Sequence, residues 1–142
     1  MTNQMFLPIA IIVSSNIFYN ITTKAMPEGA NPFAQLIVTY LSAAFISLVL
    51  MIVQNKGFSP SLFSGVNWLS VVLAFSITFL ELGYILAFRA GWNISVCSLV
   101  ANIALAVALF VIGVIFYREG VSVKQICGMA LCLVGLFIMN FK

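Results

Sequence analysis

Five apolar blocks follow one another along the chain, separated by short polar connections. A helix needs about 20 mostly apolar residues to cross the hydrocarbon core of a bilayer. The apolar residues here stand in continuous blocks and do not alternate with polar ones, so the pattern favours membrane helices over half-buried strands. The sequence therefore predicts an all-α integral membrane protein with five transmembrane helices, at residues 5–23, 33–53, 68–88, 94–117 and 122–140.

The connections contain the residues that end helices. Two prolines and a glycine fall within "TKAMPEGANP", and two glycines and a proline fall within "QNKGFSPSLFSGVN". The connections "RAGWN" and "REGVS" are short, so the helices that flank them are expected to be antiparallel neighbours. The first block is polar in its second half, but 5–18 alone is too short to cross a bilayer. We therefore keep five spans and treat 1–142 as a single membrane domain.

Composition supports this class and removes several others. The chain is 63% hydrophobic and 6% charged, whereas about a quarter of the residues of a soluble domain are charged. The basic residues are scattered, so there is no clustered cationic face for nucleic acid. Histidine, the commonest metal ligand, is absent. The three cysteines lie in apolar segments and are interpreted as packing residues. We expect neither a metal site nor a cofactor.

The charge distribution leaves the orientation open. Basic residues normally concentrate on the cytoplasmic side of a membrane protein, but here three lie on each predicted side. One interpretation is a weakly biased protein that its first helix orients in one way; the other is insertion in both orientations, which gives an antiparallel homodimer. Lys24 is expected to anchor the first helix at the headgroups or to lie at a cavity mouth. The two groups are Lys56, Arg118 and Lys124 on the N-terminal side, and Lys24, Arg89 and Lys142 on the other.

Glu81 is the candidate with the clearest functional meaning. It lies close to the midpoint of the third span, where a charged group costs a few kcal/mol and usually faces a bundle interior or a wet cavity. Thr78 and Tyr84 share its helical face and can each offer it a hydroxyl. We interpret Glu81 as a site that exchanges a proton or binds a cationic group. The structural alternative is a protonated glutamic acid that hydrogen-bonds a neighbouring helix.

Polar stripes on two other helices complete the candidate site. Asn16, Tyr19 and Asn20 share one face of the first helix, and Ser98 and Asn102 share a face of the fourth. Interhelical hydrogen bonding alone could account for each stripe. Together with the carboxylate, however, the stripes predict a central cavity. The predicted substrate-binding and coupling residues are Glu81, Tyr84, Thr78, Asn16, Asn20, Tyr19, Asn102 and Ser98.

Three stretches resemble the drug/metabolite transporter superfamily, in particular its EamA-like group. "FVIGVIFYREGVSVKQICGMALCLVGLFIMNF" is similar to the closing signature of that group, with Glu119, Gly128 and Gly135 at the matching positions. "NITTKAMPEGANPFAQLIVTYLSAA" resembles the first loop of the group, and "LGYILAFRAGWNISVCSLV" its third-to-fourth connection. The resemblance covers most of the chain at the level of one five-helix half.

The resemblance implies a dimer. Ten-helix members of the superfamily consist of two five-helix halves in inverted orientation, and an odd helix count inverts the second half. One half per chain implies an antiparallel homodimer, or a heterodimer with a related half. Two departures limit what can be carried over. The fourth helix lacks the mid-membrane proline common in the family, and the first helix has Asn16 where the four-helix multidrug relatives place an acid. The assignment of Glu81 therefore rests on the membrane argument alone.

These observations predict a multi-pass transporter of a small metabolite or drug-like molecule in a bacterial inner membrane. We expect proton-coupled export by alternating access, with a dimer, the lipid bilayer, the substrate and protons as partners. Two alternatives stay open: a lipid-carrier flippase subunit and a non-transporting membrane partner subunit. An enzyme is not expected, because one chain offers neither a histidine nor a second carboxylate near Glu81 to form an acid–base pair.

Overall fold

The computed structural model describes residues 3–118, 120 and 122–140. These residues form five α-helices and one short 3-10 turn, and each helix ends within two residues of its predicted end. Glu119 and Lys142, to which the sequence assigned a family motif and a side of the membrane, lie outside the described residues. The elements are α1 (Asn3–Ala25), α2 (Pro32–Asn55), the 3-10 turn Pro60–Phe63, α3 (Leu69–Arg89), α4 (Ile94–Phe116) and α5 (Val123–Asn140).

Four of these helices are long and apolar enough to cross a membrane. They are α1, α2, α3 and α4, and the polar second half of α1 does not interrupt its helix. The described apolar part of α5, Val123–Gly135, is shorter than a membrane span. The protein is thus a helical, membrane-embedded, multi-pass protein, while a fifth crossing by α5 stays a prediction.

The ends of α2 show why this helix begins and stops where it does. Asn31 precedes it in an extended conformation, and its side-chain oxygen accepts hydrogen bonds from the backbone N–H groups of Phe33 and Ala34 at 2.9 and 3.4 Å. Pro32 occupies the first turn, where its missing N–H costs nothing. At the other end Lys56 adopts a left-handed conformation with φ 53°, and the Gly57 N–H donates to the Ile52 carbonyl at 3.1 Å. This is a common helix stop.

The chain forms two compact units, Met1–Gly91 and Trp92–Lys142. In the first unit α1 and α2 each pack against α3; in the second, α4 packs against α5. The prediction of a single membrane domain stays a prediction. The buried residues of the first unit are concentrated near the C-terminal ends of α1 and α3 and the N-terminal end of α2. They are Asn20, Thr23, Leu36, Ile85 and Phe88.

Contacts between side chains set the helix directions in the first unit. Tyr19 packs on Tyr84, and Lys24, further along α1, reaches Phe88, further along α3. α1 and α3 therefore run in the same direction. Arg89, at the end of α3, bonds Gln35, near the start of α2, so α2 runs in the opposite direction. This up-down-up order places Lys24 and Arg89 at the same end of the unit, as in the predicted grouping of the basic residues.

Candidate functional site

A network of hydrogen bonds holds the ends of α1 and α3 together. The Lys24 ammonium group donates to the backbone carbonyl of Phe88 at 3.1 Å and lies 5.7 Å from the centre of the Phe88 ring. The Gly91 N–H donates to the same carbonyl at 3.1 Å. The last carbonyls of a helix have no partner within it and carry partial negative charge, so a cation is stabilising there. Lys24 thus links two helices, a role that neither of its predicted positions included.

Arg89 holds the α1–α2 connection against α3. Its Nη2 atom lies 3.2 Å from the Pro27 carbonyl, 2.7 Å from the Ala30 carbonyl and 3.2 Å from the Gln35 side-chain oxygen. A small cavity of about 10 Å³ opens beside it, with Lys24 and Glu28 in its lining. We use the name end clamp for this group at the end of the unit: Lys24, Arg89 and the α1–α2 connection, residues 26–31, that Arg89 contacts.

Three tyrosines, one from each helix of the first unit, stand at one level above the end clamp. Tyr19 is five residues from Lys24, Tyr84 five from Arg89 and Tyr40 five from Gln35. A helix rises 1.5 Å per residue, so each tyrosine lies about 7.5 Å further into its helix than Lys24, Arg89 or Gln35, respectively. We call Tyr19, Tyr40 and Tyr84 the tyrosine layer.

Ring contacts and buried hydroxyls define the layer. The Tyr19 and Tyr84 rings meet edge to face, with centroids 5.5 Å apart and planes at 83°, a favourable aromatic geometry. Tyr84 also packs on Phe88, with centroids 5.9 Å apart. The hydroxyl oxygens of Tyr19 and Tyr40 are buried and have no hydrogen-bond partner among the described residues. The Thr23 side chain, one turn from Tyr19, interacts with the Tyr19 phenol without reaching hydrogen-bond geometry, and its hydroxyl donates to the Tyr19 backbone carbonyl at 2.8 Å.

Tyr40 is the residue that sequence reasoning missed. Aromatic side chains near the end of a membrane helix commonly lie at the interface, but the Tyr40 hydroxyl is buried inside the first unit. Tyr40 is also close enough to Tyr19 for the two phenols to interact electrostatically. Tyr40 follows Leu36 by one helical turn, and Leu36 is the buried residue of α2, so both lie on the face of α2 that the structure buries.

Glu81 lies three residues further into α3 than Tyr84, which places it about 4.5 Å deeper along the helix axis. Its side chain is partly buried, and its carboxylate interacts electrostatically with the Tyr19 phenol. No described residue forms a hydrogen bond or an ion pair with that carboxylate. The structure therefore brings three predicted site residues together: Glu81, Tyr84 and Tyr19.

Thr78 has a different partner from the one expected. Its hydroxyl donates to the Ala74 backbone carbonyl at 2.8 Å, one turn earlier in α3. Hydroxyl side chains inside helices commonly bond in this way. In this structure the Thr78 proton is therefore not directed to Glu81.

The asparagines of α1 form a pair. The Asn20 amide nitrogen donates to the backbone carbonyl of Asn16 at 2.8 Å and to its side-chain oxygen at 2.6 Å. Asn20 is 4% exposed, and its side-chain oxygen is buried without a partner among the described residues. Asn16 is exposed. Asn20, which follows Tyr19 in the chain, therefore has an unused acceptor, while Asn16 orients its amide.

The remaining predicted residues belong to the second unit. Asn102 donates to the Ser98 hydroxyl at 3.3 Å, with Ser98 partly buried and Asn102 exposed. The predicted convergence of this stripe with the other two stays a prediction. Cys97 is buried in α4, whereas Cys127 and Cys132 are exposed on α5. Within the described residues, no three side chains of histidine, cysteine, aspartate or glutamate stand together as metal ligands would.

Comparisons of this chain with protein-family models, curated proteins and solved structures find no match. The site must therefore be interpreted from its own geometry. Among the described residues, the Glu81 carboxylate interacts with the tyrosine layer, where the hydroxyls of Tyr19 and Tyr40 are unpaired, within helices apolar enough to span a membrane.

Proposed function

We propose that this chain is one half of a membrane transporter for small metabolites or drug-like molecules and works as a dimer. One observation carries the proposal: Tyr19 and Tyr84 are in ring contact beside the Glu81 carboxylate. Their helices, α1 and α3, are both long and apolar enough to cross a membrane. An ionisable residue at such a position is expensive to keep and is a functional-site hypothesis by default.

In the proposed mechanism Glu81 binds either a proton or the substrate, and each displaces the other. Export is then coupled to proton entry, because the site can return empty of substrate only when Glu81 is protonated. Tyr19 and Tyr84 supply ring surface, and the two halves rock around the site to expose it to each side in turn. Asn16 and Asn20 are proposed to supply neutral hydrogen bonds to substrate, and Thr78 to support the helix next to Glu81.

The resemblance to EamA-like halves favours inverted pairing, and the even division of basic residues favours two opposite insertions of the same chain. We therefore propose an antiparallel homodimer in the cell membrane. Single cysteines placed in the connections 26–31 and 56–68, in a background without the native cysteines, test this by labelling from each side of the membrane. Equal labelling of both sites from both sides supports the homodimer. Labelling of each site from one side only requires an oppositely oriented, related partner chain.

Proton coupling is tested in proteoliposomes that carry a pH gradient and an entrapped pH-sensitive dye. Soluble probes are added in turn: an amine, a neutral sugar, a carboxylate and a zwitterionic amino acid. We expect at least one class to dissipate the gradient faster with the native chain than in protein-free vesicles, and none to do so with Glu81→Gln. Glu28→Gln is the matched control, because Glu28 lies in the α1–α2 connection. It should behave like the native chain.

The alternatives predict different results in the same vesicles. With a non-transporting partner subunit no probe would dissipate the gradient faster than in protein-free vesicles, in the native chain or in either variant. A lipid-carrier flippase subunit would respond to a lipid-linked probe in the bilayer but to none of the soluble ones. Either result overturns the proposed coupled transport of soluble molecules.

A further inference from the structure

Three buried oxygen atoms near one level of the first unit have no hydrogen-bond partner among the described residues: the hydroxyl oxygens of Tyr19 and Tyr40 and the side-chain oxygen of Asn20. A buried polar atom left unpaired costs free energy, so each such atom in a native protein requires an explanation. One of the three, the Tyr19 hydroxyl, interacts electrostatically with the Glu81 carboxylate, and the set as a whole points to an external group that completes it.

The Asn20 amide shows what that group must supply. Its nitrogen faces the Asn16 backbone carbonyl at 2.8 Å, and a backbone carbonyl can only accept. Exchanging the amide oxygen and nitrogen of Asn20 would therefore place two acceptors against each other. The outward atom is thus the oxygen, and an amide oxygen can only accept a hydrogen bond. The missing partner of Asn20 must be a donor.

Glu81 determines the charge that the missing group must carry. An ionised carboxylate accepts hydrogen bonds and donates none. No lysine or arginine of the described residues forms an ion pair with it. The phenol oxygens of Tyr19 and Tyr40 can each accept or donate, so they too can be satisfied by a donor. The group that suits the whole set is cationic and carries several N–H bonds.

We propose that the tyrosine layer, with Asn20 and Glu81, binds the protonated primary amine of the transported molecule. This assignment rests on the proposed transport function and adds its substrate class. A primary ammonium group has three N–H donors, enough to bond Glu81 and two of the unpaired oxygens. Tyr40 becomes a substrate-binding residue, a role that its sequence position did not suggest. The Tyr19 and Tyr84 rings form one wall of the site.

Other chemical classes fit less well. A quaternary ammonium ion satisfies the charge of Glu81 and can lie against an aromatic face, but it has no N–H bond for the unpaired oxygens. A carboxylate-bearing molecule without a cation would be repelled by Glu81. A neutral alcohol leaves the carboxylate without a counter-charge. Specificity is a difference of affinities, and here the N–H donors supply that difference.

Two probes that share a benzyl group test the assignment: benzylamine and benzyltrimethylammonium. Binding to the purified full chain in detergent is measured by calorimetry at pH 8. We expect benzylamine to bind at least tenfold more tightly than the quaternary ion. Tyr19→Phe and Tyr40→Phe each remove one hydroxyl and keep the ring. Each should weaken benzylamine binding about fivefold and leave benzyltrimethylammonium binding unchanged. Glu81→Gln should weaken the binding of both probes.

Tyr117→Phe is the matched control, because Tyr117 is exposed just beyond the end of α4. It should bind both probes like the native chain. Equal or tighter binding of the quaternary ion by the native chain would overturn the proposal. Unchanged benzylamine binding in both Tyr19→Phe and Tyr40→Phe would also overturn it. Circular dichroism of each variant establishes that it is folded before its affinity is compared.

The two proposals fail in different experiments. If benzylamine binds as described but no probe dissipates a pH gradient faster than in protein-free vesicles, the amine site stands and coupled transport does not. If a probe other than an amine dissipates the gradient with the native chain but not with Glu81→Gln, and benzylamine does not bind, coupled transport stands and the amine assignment is wrong.

Discussion

The ammonium group of Lys24 donates a 3.1 Å hydrogen bond to the backbone carbonyl of Phe88, which joins the last turn of α1 to the last turn of α3. The two helices run in the same direction, so their C-terminal ends lie side by side with partial negative charge on both. A cation between them relieves that repulsion as well as pairing an unsatisfied carbonyl. Lys24 therefore contributes to helix packing through its charge.

Replacing Lys24 by methionine keeps the length of the side chain and removes the donor. We expect Lys24→Met to lower the free energy of unfolding by about 1–2 kcal/mol, since a hydrogen bond with a charged donor is lost. Unfolding in mixed detergent–SDS micelles, followed by circular dichroism, measures this. Lys124→Met removes an exposed ammonium from α5 and should change stability by less than about 0.5 kcal/mol. Equal effects of the two substitutions would show that the Phe88 contact contributes nothing.

Arg89 is expected to be irreplaceable by lysine. The Nη2 atom of Arg89 makes all three contacts, to two backbone carbonyls and the Gln35 side chain, and a lysine side chain ends one bond short of that atom. Arg89→Lys should speed amide hydrogen exchange in residues 26–31 by about tenfold, which corresponds to ~1.4 kcal/mol of local opening. Arg118→Lys, at a position beyond α4, should leave exchange in 26–31 at its native rate. An unchanged rate of amide exchange in Arg89→Lys would mean that the Arg89 contacts do not stabilise the α1–α2 connection.

The unpaired hydroxyls of the tyrosine layer predict a gain in stability on removal. Without ligand, Tyr19→Phe and Tyr40→Phe each delete a buried polar atom that has no partner among the described residues, and keep the ring contacts. We expect each to raise the free energy of unfolding by about 1 kcal/mol. Tyr117→Phe should be neutral. A loss of stability in Tyr19→Phe or Tyr40→Phe would show that the hydroxyl has a partner in the ligand-free protein.

Two glycines, one inside α3 and one just beyond its end, allow a matched comparison. Gly91 has φ 92°, in the left-handed region that side chains rarely adopt, whereas Gly83 lies inside the helix, where an added methyl group would enter open space. Gly91→Ala should cost at least ~1 kcal/mol of unfolding free energy through backbone strain. Gly83→Ala should be neutral or stabilising by up to about 1 kcal/mol. The same detergent–SDS titration compares them, and similar losses in both variants would contradict the strain argument.

The positions of the helices could be predicted because each apolar block has the length of a membrane span and ends at a proline, a glycine or a polar residue. The 3.6-residue period also placed Tyr84 on the face of Glu81, and Tyr19 among the polar residues of α1. The contacts of the end clamp could not be predicted in this way. Arg89 bonds mainly to backbone carbonyls, which every sequence has, so no residue pattern marks its partners.

Tyr40 and Thr78 show two further limits. Tyr40 was missed because the packing of α2 on α3, and not any feature of α2 alone, buries its hydroxyl. Thr78 shares a face with Glu81, but a hydroxyl within a helix can bond either a neighbouring side chain or a carbonyl four residues earlier. Periodicity gives the face on which a side chain lies and leaves its hydrogen-bond partner undetermined.

The end clamp fixes the helices at one end, so a small tilt there produces a large displacement at their other end. From Asn20, which is buried, to Phe6 in the exposed part of α1, the helix extends about 21 Å. A tilt of ~10° around Asn20 would move Phe6 sideways by about 4 Å, while the hydrogen bonds of Lys24, close to the pivot, would change length far less. A small rearrangement among the tyrosines can therefore become a displacement of several ångströms at the far face of the membrane.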